Sequence, residues 1–272
     1  MTLIMMIAAT WGIMSCSDHR LTLKPGGKRD TDASTKYVIV SCPDGSALIS
    51  YTGLGRAGYS DVSEWMRDVL RGKIRTVGET LLDLREQASR ELGRESQRHD
   101  VPHYFTIGAF VHGRPWAATI TNEQSASPSA KKTILTEFHL DAFEVCGSDL
   151  TIKGSGEYAI RPEDRKRLDA LSKKTLRNPS SLMKILAETN KRAAESVHDL
   201  AHTISPSSTV VFMPPSGLDI SIKRYGATDG EPAPEVSHIL SGIDLGLTTK
   251  EFLKGSLTDE IATQAVKPKR RR

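Results

Sequence analysis

Apolar residues crowd the start of the chain. Residues 1–17 read Met-Thr-Leu-Ile-Met-Met-Ile-Ala-Ala-Thr-Trp-Gly-Ile-Met-Ser-Cys-Ser, with no charge before Asp18. The break at Thr10-Trp11-Gly12 predicts a hairpin with strands at 2–9 and 13–18. After a loop rich in Gly, Lys, Arg and Asp (24–35), the runs 37–42 and 47–51 flank Pro43-Asp44-Gly45 and predict a second hairpin. Helical periodicity follows over 60–71 and 76–95, where Leu81, Leu82, Leu84, Ala88 and Leu92 suggest a buried stripe. Strands are expected at 104–111, 115–121, 133–140 and 143–152, with the Ser-rich stretch 124–130 as a loop. One helix starts at Pro162, and another runs from about Ser180 to Ala201, capped by Asn178-Pro179-Ser180. A last hairpin pairs 209–213 with 218–223 around Pro214-Pro215-Ser216-Gly217.

Strands arrive in antiparallel pairs and helices in pairs, which disfavours an alternating parallel α/β sheet. The expected class is α+β, a four-layer sandwich of two packed antiparallel sheets with a helical layer on each outer face. A strand covered on both faces reads as a continuous apolar run, as 37–40 does. Residues 1–225 are read as one domain, and 226–272 as a polar linker, a short extension and a basic tail.

Composition adds little to this. The formal net charge of +4 suggests a nucleic-acid or membrane partner at first sight. Five of the 37 basic residues lie in the last six positions, leaving 32 against 33 acidic ones, a balance of −1. The basic excess therefore belongs to the tail, where a nucleic-acid contact is conceivable and solubilising residues are the commoner case. Three widely spaced cysteines (Cys16, Cys42, Cys146) argue against a disulfide scaffold and a zinc module, and suit a reducing cytoplasm. The apolar N-terminus lacks the positive n-region of a secretory signal and is too short and interrupted for a membrane span. Ile13-Met14-Ser15-Cys16 loosely imitates a lipoprotein cleavage box, so an exported lipoprotein with mature Cys16 is the alternative to the hairpin.

Hairpin geometry brings chemistry together. A turn at 10–12 sets residue 2 opposite 19–20, so Thr2 and Asp18 share one end of the first hairpin. A turn at 43–45 sets Lys36 opposite about Gly53. If the hairpins are neighbours in one sheet, Thr2, Asp18, Lys36 and Gly53 meet at one sheet end. Removal of Met1, which the small side chain at position 2 permits, would give Thr2 a free α-amine as its own base. Lys36 would hold that amine neutral and ease ionisation of the hydroxyl, with Asp18 keeping Lys36 charged and oriented. The Gly53 backbone would donate to the oxyanion, a contribution of roughly 3–4 kcal/mol per donor.

These residues carry a resemblance. Thr2, then Asp18-His19-Arg20-Leu21-Thr22, then Lys36-Tyr37-Val38-Ile39-Val40 and Tyr51-Thr52-Gly53 follow the order seen in the proteasome β-subunit family. That family includes the bacterial HslV-like peptidases and lies within the N-terminal nucleophile (Ntn) hydrolases. Lys153-Gly154-Ser155-Gly156 resembles the family's Gly-Ser-Gly turn, whose serine supports the nucleophile's amine. Asp199 corresponds most simply to the Asp near the end of the next helix, although Asp199-Leu200-Ala201-His202-Thr203 replaces the usual Asp-x-x-Ser-Gly, with Ser205 displaced. His19 stands where the family has Ser. The resemblance covers roughly residues 2–225. It implies a four-layer αββα fold, threonine-type hydrolysis of peptide or small amide bonds, a supporting place for Arg20, and homo-oligomers that are often rings. It implies no cofactor or metal, and no motif names an unfoldase partner. The departures around Asp199, with the unmatched extension, motivate a second reading: a catalytically silent scaffold of the same fold.

Two motifs point elsewhere. Gly53-Leu54-Gly55-Arg56-Ala57-Gly58 matches GxGxxG, but a dinucleotide site needs a βαβ unit, and here two helices follow. His198 and His202 are spaced i, i+4 like a metal pair, without a third ligand in evidence.

Overall fold

The computed structural model describes residues 2–22, 29–31, 35–57, 60–124, 132–174, 179–196, 204–226 and 236–246. β1 (Ile4–Ala9) and β2 (Gly12–Asp18) form the N-terminal hairpin, pairing Ile4 with Ser17 and Ala9 with Gly12. β3 (Tyr37–Cys42) and β4 (Gly45–Thr52) form the second. Then come α1 (Val62–Leu70), α2 (Val77–Glu91) and α3 (Gly93–Arg98), followed by β5 (Tyr104–Val111), β6 (Arg114–Gln124), β7 (Thr133–Glu144) and β8 (Ser148–Lys153). α4 (Pro162–Ser172) and α5 (Pro179–Ser196) precede β9 (Ser208–Met213) and β10 (Ser221–Tyr225); β11 (Ser237–Leu240) and β12 (Ile243–Asp244) close the described chain.

The strands make two large sheets, ordered β8-β1-β2-β9-β10 and β7-β6-β5-β4-β3-β11-β12. The two hairpins therefore do not lie side by side in one sheet, as the sequence geometry supposed; they belong to different sheets and meet face to face. Edges explain this. β1 and β2 use their outer edges to bind β8 and β9, so only their apolar faces remain for the second hairpin. Alternation sorts the side chains. Leu3, Met5, Ile7 and Ala9 pack under α4 and α5, whereas Met6 and Ala8 turn inward between the sheets against Ile39 and Leu48. Val38, Val40, Ile49 and Tyr51 face α1 and α2. All of β1 and β2 is buried, which is why the first hairpin carries no charged side chain before Asp18. The result is a four-layer αββα sandwich.

The helices start at their caps. Asp61 accepts from the Ser63 amide ahead of α1, and Thr76 with Glu79 forms a capping box ahead of α2. α2 stops at Glu91, and α3 completes the stretch that periodicity extends to residue 95. Leu81, Leu84 and Ala88 face the sheet, but Leu82 is 48% exposed, since one residue turns it about 100° off the stripe.

Beyond the predicted boundary at 225, Ser237–Leu240 returns to the larger sheet. It pairs parallel with β3, Ser237 opposite Val38, and buries Ile239 in the core under α1. The sheet is thus not wholly antiparallel, and the extension supplies part of it. The glycine run at 53–58 leads toward α1, but β5 comes back antiparallel to β4, so no βαβ unit forms around it. Among the described residues, no helix is long and apolar enough to cross a membrane. Cleavage before Cys16 would remove β1 and the first half of β2, a core that both sheets need.

The thiols differ sharply. Cys16 is fully buried, and burial pushes its pKa up to about 12. Cys146 is exposed in the β7–β8 turn. Brief iodoacetamide treatment of the native protein is expected to modify Cys146 and to spare Cys16 until the chain is denatured. Peptide mass spectrometry checks this; rapid native labelling of Cys16 would contradict the hairpin's burial.

Candidate active site

Thr2 lies two residues before β1, Asp18 ends β2 and Lys36 directly precedes β3, so three strand ends converge at one edge of the sandwich. Thr2 is 3% exposed, and Asp18 and Lys36 are each 1% exposed. The Lys36 ammonium donates to Thr2 Oγ1 at 2.7 Å, to Asp18 Oδ1 at 3.0 Å and to the Arg20 carbonyl at 2.7 Å. Charge-assisted bonds in a dry setting are the strong ones, and this geometry fixes the lysine's position relative to the hydroxyl.

Asp18 is held in turn by the backbone. Oδ1 accepts from the Leu3 amide at 3.0 Å, and Oδ2 accepts from the Arg20 amide at 3.0 Å and the Ser205 amide at 3.2 Å. One carboxylate thus ties the residue after Thr2, the turn after β2 and the segment before β9 to Lys36. Arg20 takes part through its backbone amide and carbonyl. The Ser205 amide was not legible in the sequence as a partner of Asp18. Asn190 on α5 holds that segment from behind, donating to the Ser205 carbonyl at 2.9 Å. Asp199, like His198 and His202, lies outside the described residues.

Lys36 does not sit opposite Gly53. The register places it opposite Tyr51, whose amide donates to the Lys36 carbonyl at 3.3 Å, with Gly53 two residues on, past the end of β4. The turn holds only residues 43–44, because Gly45 already pairs with Cys42, so it is shorter on its C-terminal side than the 43–45 turn the sequence spacing assumed. Gly53 has φ +120°, and a Cβ there would lie 2.5 Å from the Pro102 carbonyl oxygen. Only glycine fits.

The 154–156 turn wraps the backbone of Thr2. A Cβ on Gly154 (φ +107°) would lie 1.9 Å from the Thr2 carbonyl oxygen and 3.0 Å from Thr52 Oγ1. The Gly156 amide approaches the same Thr2 carbonyl at 3.5 Å. Between them, Ser155 Oγ is buried and has no hydrogen-bond partner among the described residues. Ser155, Gly154, Gly53 and Thr52 also line one wall of a cleft of about 350 Å³, whose other walls include Tyr104 and Tyr158. Tyr104 donates to Glu123; burial, then that bond and the carboxylate's charge, push the phenol's pKa well up, so it remains a donor.

His19, which stands where the resemblance expects Ser, is buried and meets Thr209 Oγ1 on β9 through Nε2 at 2.7 Å. It helps bind the end of β2 to β9. Among the described residues no cluster of His, Cys, Asp or Glu is arranged to hold a metal ion.

No protein-family model and no curated protein matches the chain. Solved structures do. The chain is similar to Anbu (ancestral beta-subunit) from Yersinia bercovieri, with a TM-score of 0.54 at 14% identity over 99% of each chain. It is also similar to the structure titled helical assembly of the Anbu complex from Pseudomonas aeruginosa, with a TM-score of 0.53 at 12% identity over 98% of this chain and 100% of that one. At these identities the likeness shows the fold, end to end, and it is the αββα sandwich described above.

Proposed function

We propose that this chain is a proteasome-like threonine-type hydrolase that cleaves peptide or small amide bonds, with Thr2 as nucleophile once Met1 is removed. The observation that carries this reading is Lys36 Nζ held between Thr2 Oγ1 and Asp18 Oδ1 in a buried setting. A threonine, a lysine and an aspartate at three strand ends could form an ordinary buried ion pair. Placing the cation on the hydroxyl oxygen of a residue one step from the terminus gives the arrangement a chemical use.

In this reading the free α-amine of Thr2 takes the hydroxyl proton, and Lys36, by its charge, favours the neutral amine and the developing alkoxide. Oγ1 attacks the substrate carbonyl carbon. The resulting oxyanion is met by the Gly53 backbone, and the tetrahedral species collapses as the proton passes to the leaving amine. Water then releases the acyl group from the Thr2 ester and restores the hydroxyl. Ser155 Oγ, buried beside the Thr2 backbone and lacking a partner among the described residues, would accept from the α-amine and orient it. The cleft walled by Gly53, Ser155 and Tyr104 receives the substrate. The chain is further read as cytoplasmic and homo-oligomeric. Support for the latter comes from the Pseudomonas aeruginosa neighbour, whose title describes a helical assembly.

Intact-mass measurement of protein from its native host is expected to show Met1 absent. A peptide vinyl sulfone should then label one site, Thr2, as read by peptide mapping. Active protein that keeps Met1 throughout would refute the mechanism.

A further inference from the structure

One buried histidine lies outside the constellation above. His103 directly precedes β5, where Thr52 and Tyr104 form the last cross-strand pair, and so faces Gly53 just past the ladder. Its Nδ1 accepts the Leu54 amide at 3.1 Å. The side of Gly53 that would carry a Cβ is closed by the Pro102 carbonyl oxygen and by His103, whose Cα would lie 2.8 Å from it.

The histidine is itself anchored from three elements. Its amide donates to Asn122 Oδ1 on β6 at 2.9 Å. Asn122 Nδ2 donates to Ser96 Oγ on α3 and to the Leu135 carbonyl on β7, each at 2.8 Å, and Ser96 Oγ donates to the Val101 carbonyl. His103, Asn122 and Ser96 are all 0% exposed. The ring lies among aromatic neighbours, 4.6 Å from Phe105 and 5.9 Å from Tyr51 between centroids. Burial lowers its pKa to about 3, so the imidazole is neutral at physiological pH. Because Leu54 donates to Nδ1, the proton sits on Nε2, which is buried with no hydrogen-bond partner among the described residues. A side chain needed only to fill this aromatic pocket would be apolar, since an imidazole leaves a donor unsatisfied there.

We propose that His103 is a positioning residue for the oxyanion donor, holding the Leu54 amide so that the Gly53 backbone keeps one orientation at the cleft. Gly53 is then clamped on both sides, by the strand ladder before it and by the imidazole after it. The proposal rests on the reading of Thr2 as nucleophile and Gly53 as donor. A conformationally free glycine would otherwise lose the preorganisation on which oxyanion stabilisation depends.

The test compares two electrophiles on the full-length protein. A β-lactone acylates Thr2 through a carbonyl oxyanion, whereas a peptide vinyl sulfone alkylates it with no carbonyl oxyanion. His103→Phe keeps an aromatic ring and removes the acceptor. Loss of one oxyanion donor costs 10²–10³ in rate, and a displaced donor is expected to slow β-lactone acylation about 10- to 100-fold. The vinyl sulfone rate should be unchanged, and His103→Asn, which restores an acceptor oxygen, should recover part of the acylation rate. Wild-type acylation by folded His103→Phe, or equal slowing of both reagents, would overturn the proposal. Wild-type protein labelled by neither reagent would remove the Thr2 reading and the positioning role with it. If His103→Phe does not fold, nitrogen-15 NMR of the wild type decides: Nδ1 unprotonated and coupled to the Leu54 amide supports the role, and a protonated Nδ1 ends it.

Discussion

Thr2→Ala is expected to abolish hydrolysis, a loss of at least about 10³-fold, while the protein stays folded. Alanine at position 2 still permits removal of Met1, so this variant separates the nucleophile from the processing step. The structural cost is confined to one contact. Thr2 Oγ1 accepts from Lys36, so the variant withdraws one buried acceptor from an ammonium that keeps Asp18 and the Arg20 carbonyl. Losing one partner of a buried polar group costs about 1–3 kcal/mol, which lowers the melting temperature without unfolding the chain. Thr2→Ser keeps the oxygen and should retain measurable turnover. Turnover of a fluorogenic peptide or amide panel, read beside thermal melts, checks both statements. Wild-type turnover in Thr2→Ala would show that the site does not use this hydroxyl and would favour a silent scaffold of the same fold.

What the sequence disclosed, and what it hid, follows from the range of the interactions. The two N-terminal hairpins were legible because their signals are local: an apolar run, a turn, a second apolar run. Their lower ends then named Thr2, Asp18 and Lys36 together. Which sheet each hairpin joins was not legible, since that depends on β8 and β9 claiming the edges of β1 and β2 from more than a hundred residues away. Leu82 reads as core by hydrophobicity and is excluded only by phase. β11 is four residues long, and its parallel partner β3 lies about two hundred positions earlier, so no local pattern announces it. His103 was invisible for a related reason. In Val101-Pro102-His103-Tyr104 it looks like a loop histidine, and its role exists only because β5 pairs with β4 in a register that ends at Thr52. The Ser205 amide shows the same limit: a backbone donor carries no residue-type signature.

The Lys36–Asp18 pair should give the largest effect on stability and activity together. Both side chains are fully buried, and removing one partner of such a pair strands the other, at about 3–5 kcal/mol. The two single variants are not equivalent. Lys36→Met leaves the Asp18 carboxylate with three backbone donors, Leu3, Arg20 and Ser205, so part of its charge remains solvated by the protein. Asp18→Asn must turn an amide N–H toward backbone donors on one side or toward Lys36 on the other, and takes away the buried carboxylate that the ammonium pairs with. It is therefore expected to be the more destabilising of the two in denaturant titrations. Combining them removes both charges, so the double variant should be more stable than the sum of the single losses predicts. Activity will not follow stability. Without the cation beside Thr2 Oγ1, vinyl sulfone labelling of Thr2 and turnover should both fall at least about a hundredfold in Lys36→Met and stay low in the double variant. Recovery of stability with no recovery of rate marks a pair kept for chemistry. Lys36→Met with wild-type labelling of Thr2 would reduce the pair to a structural tie between two sheets.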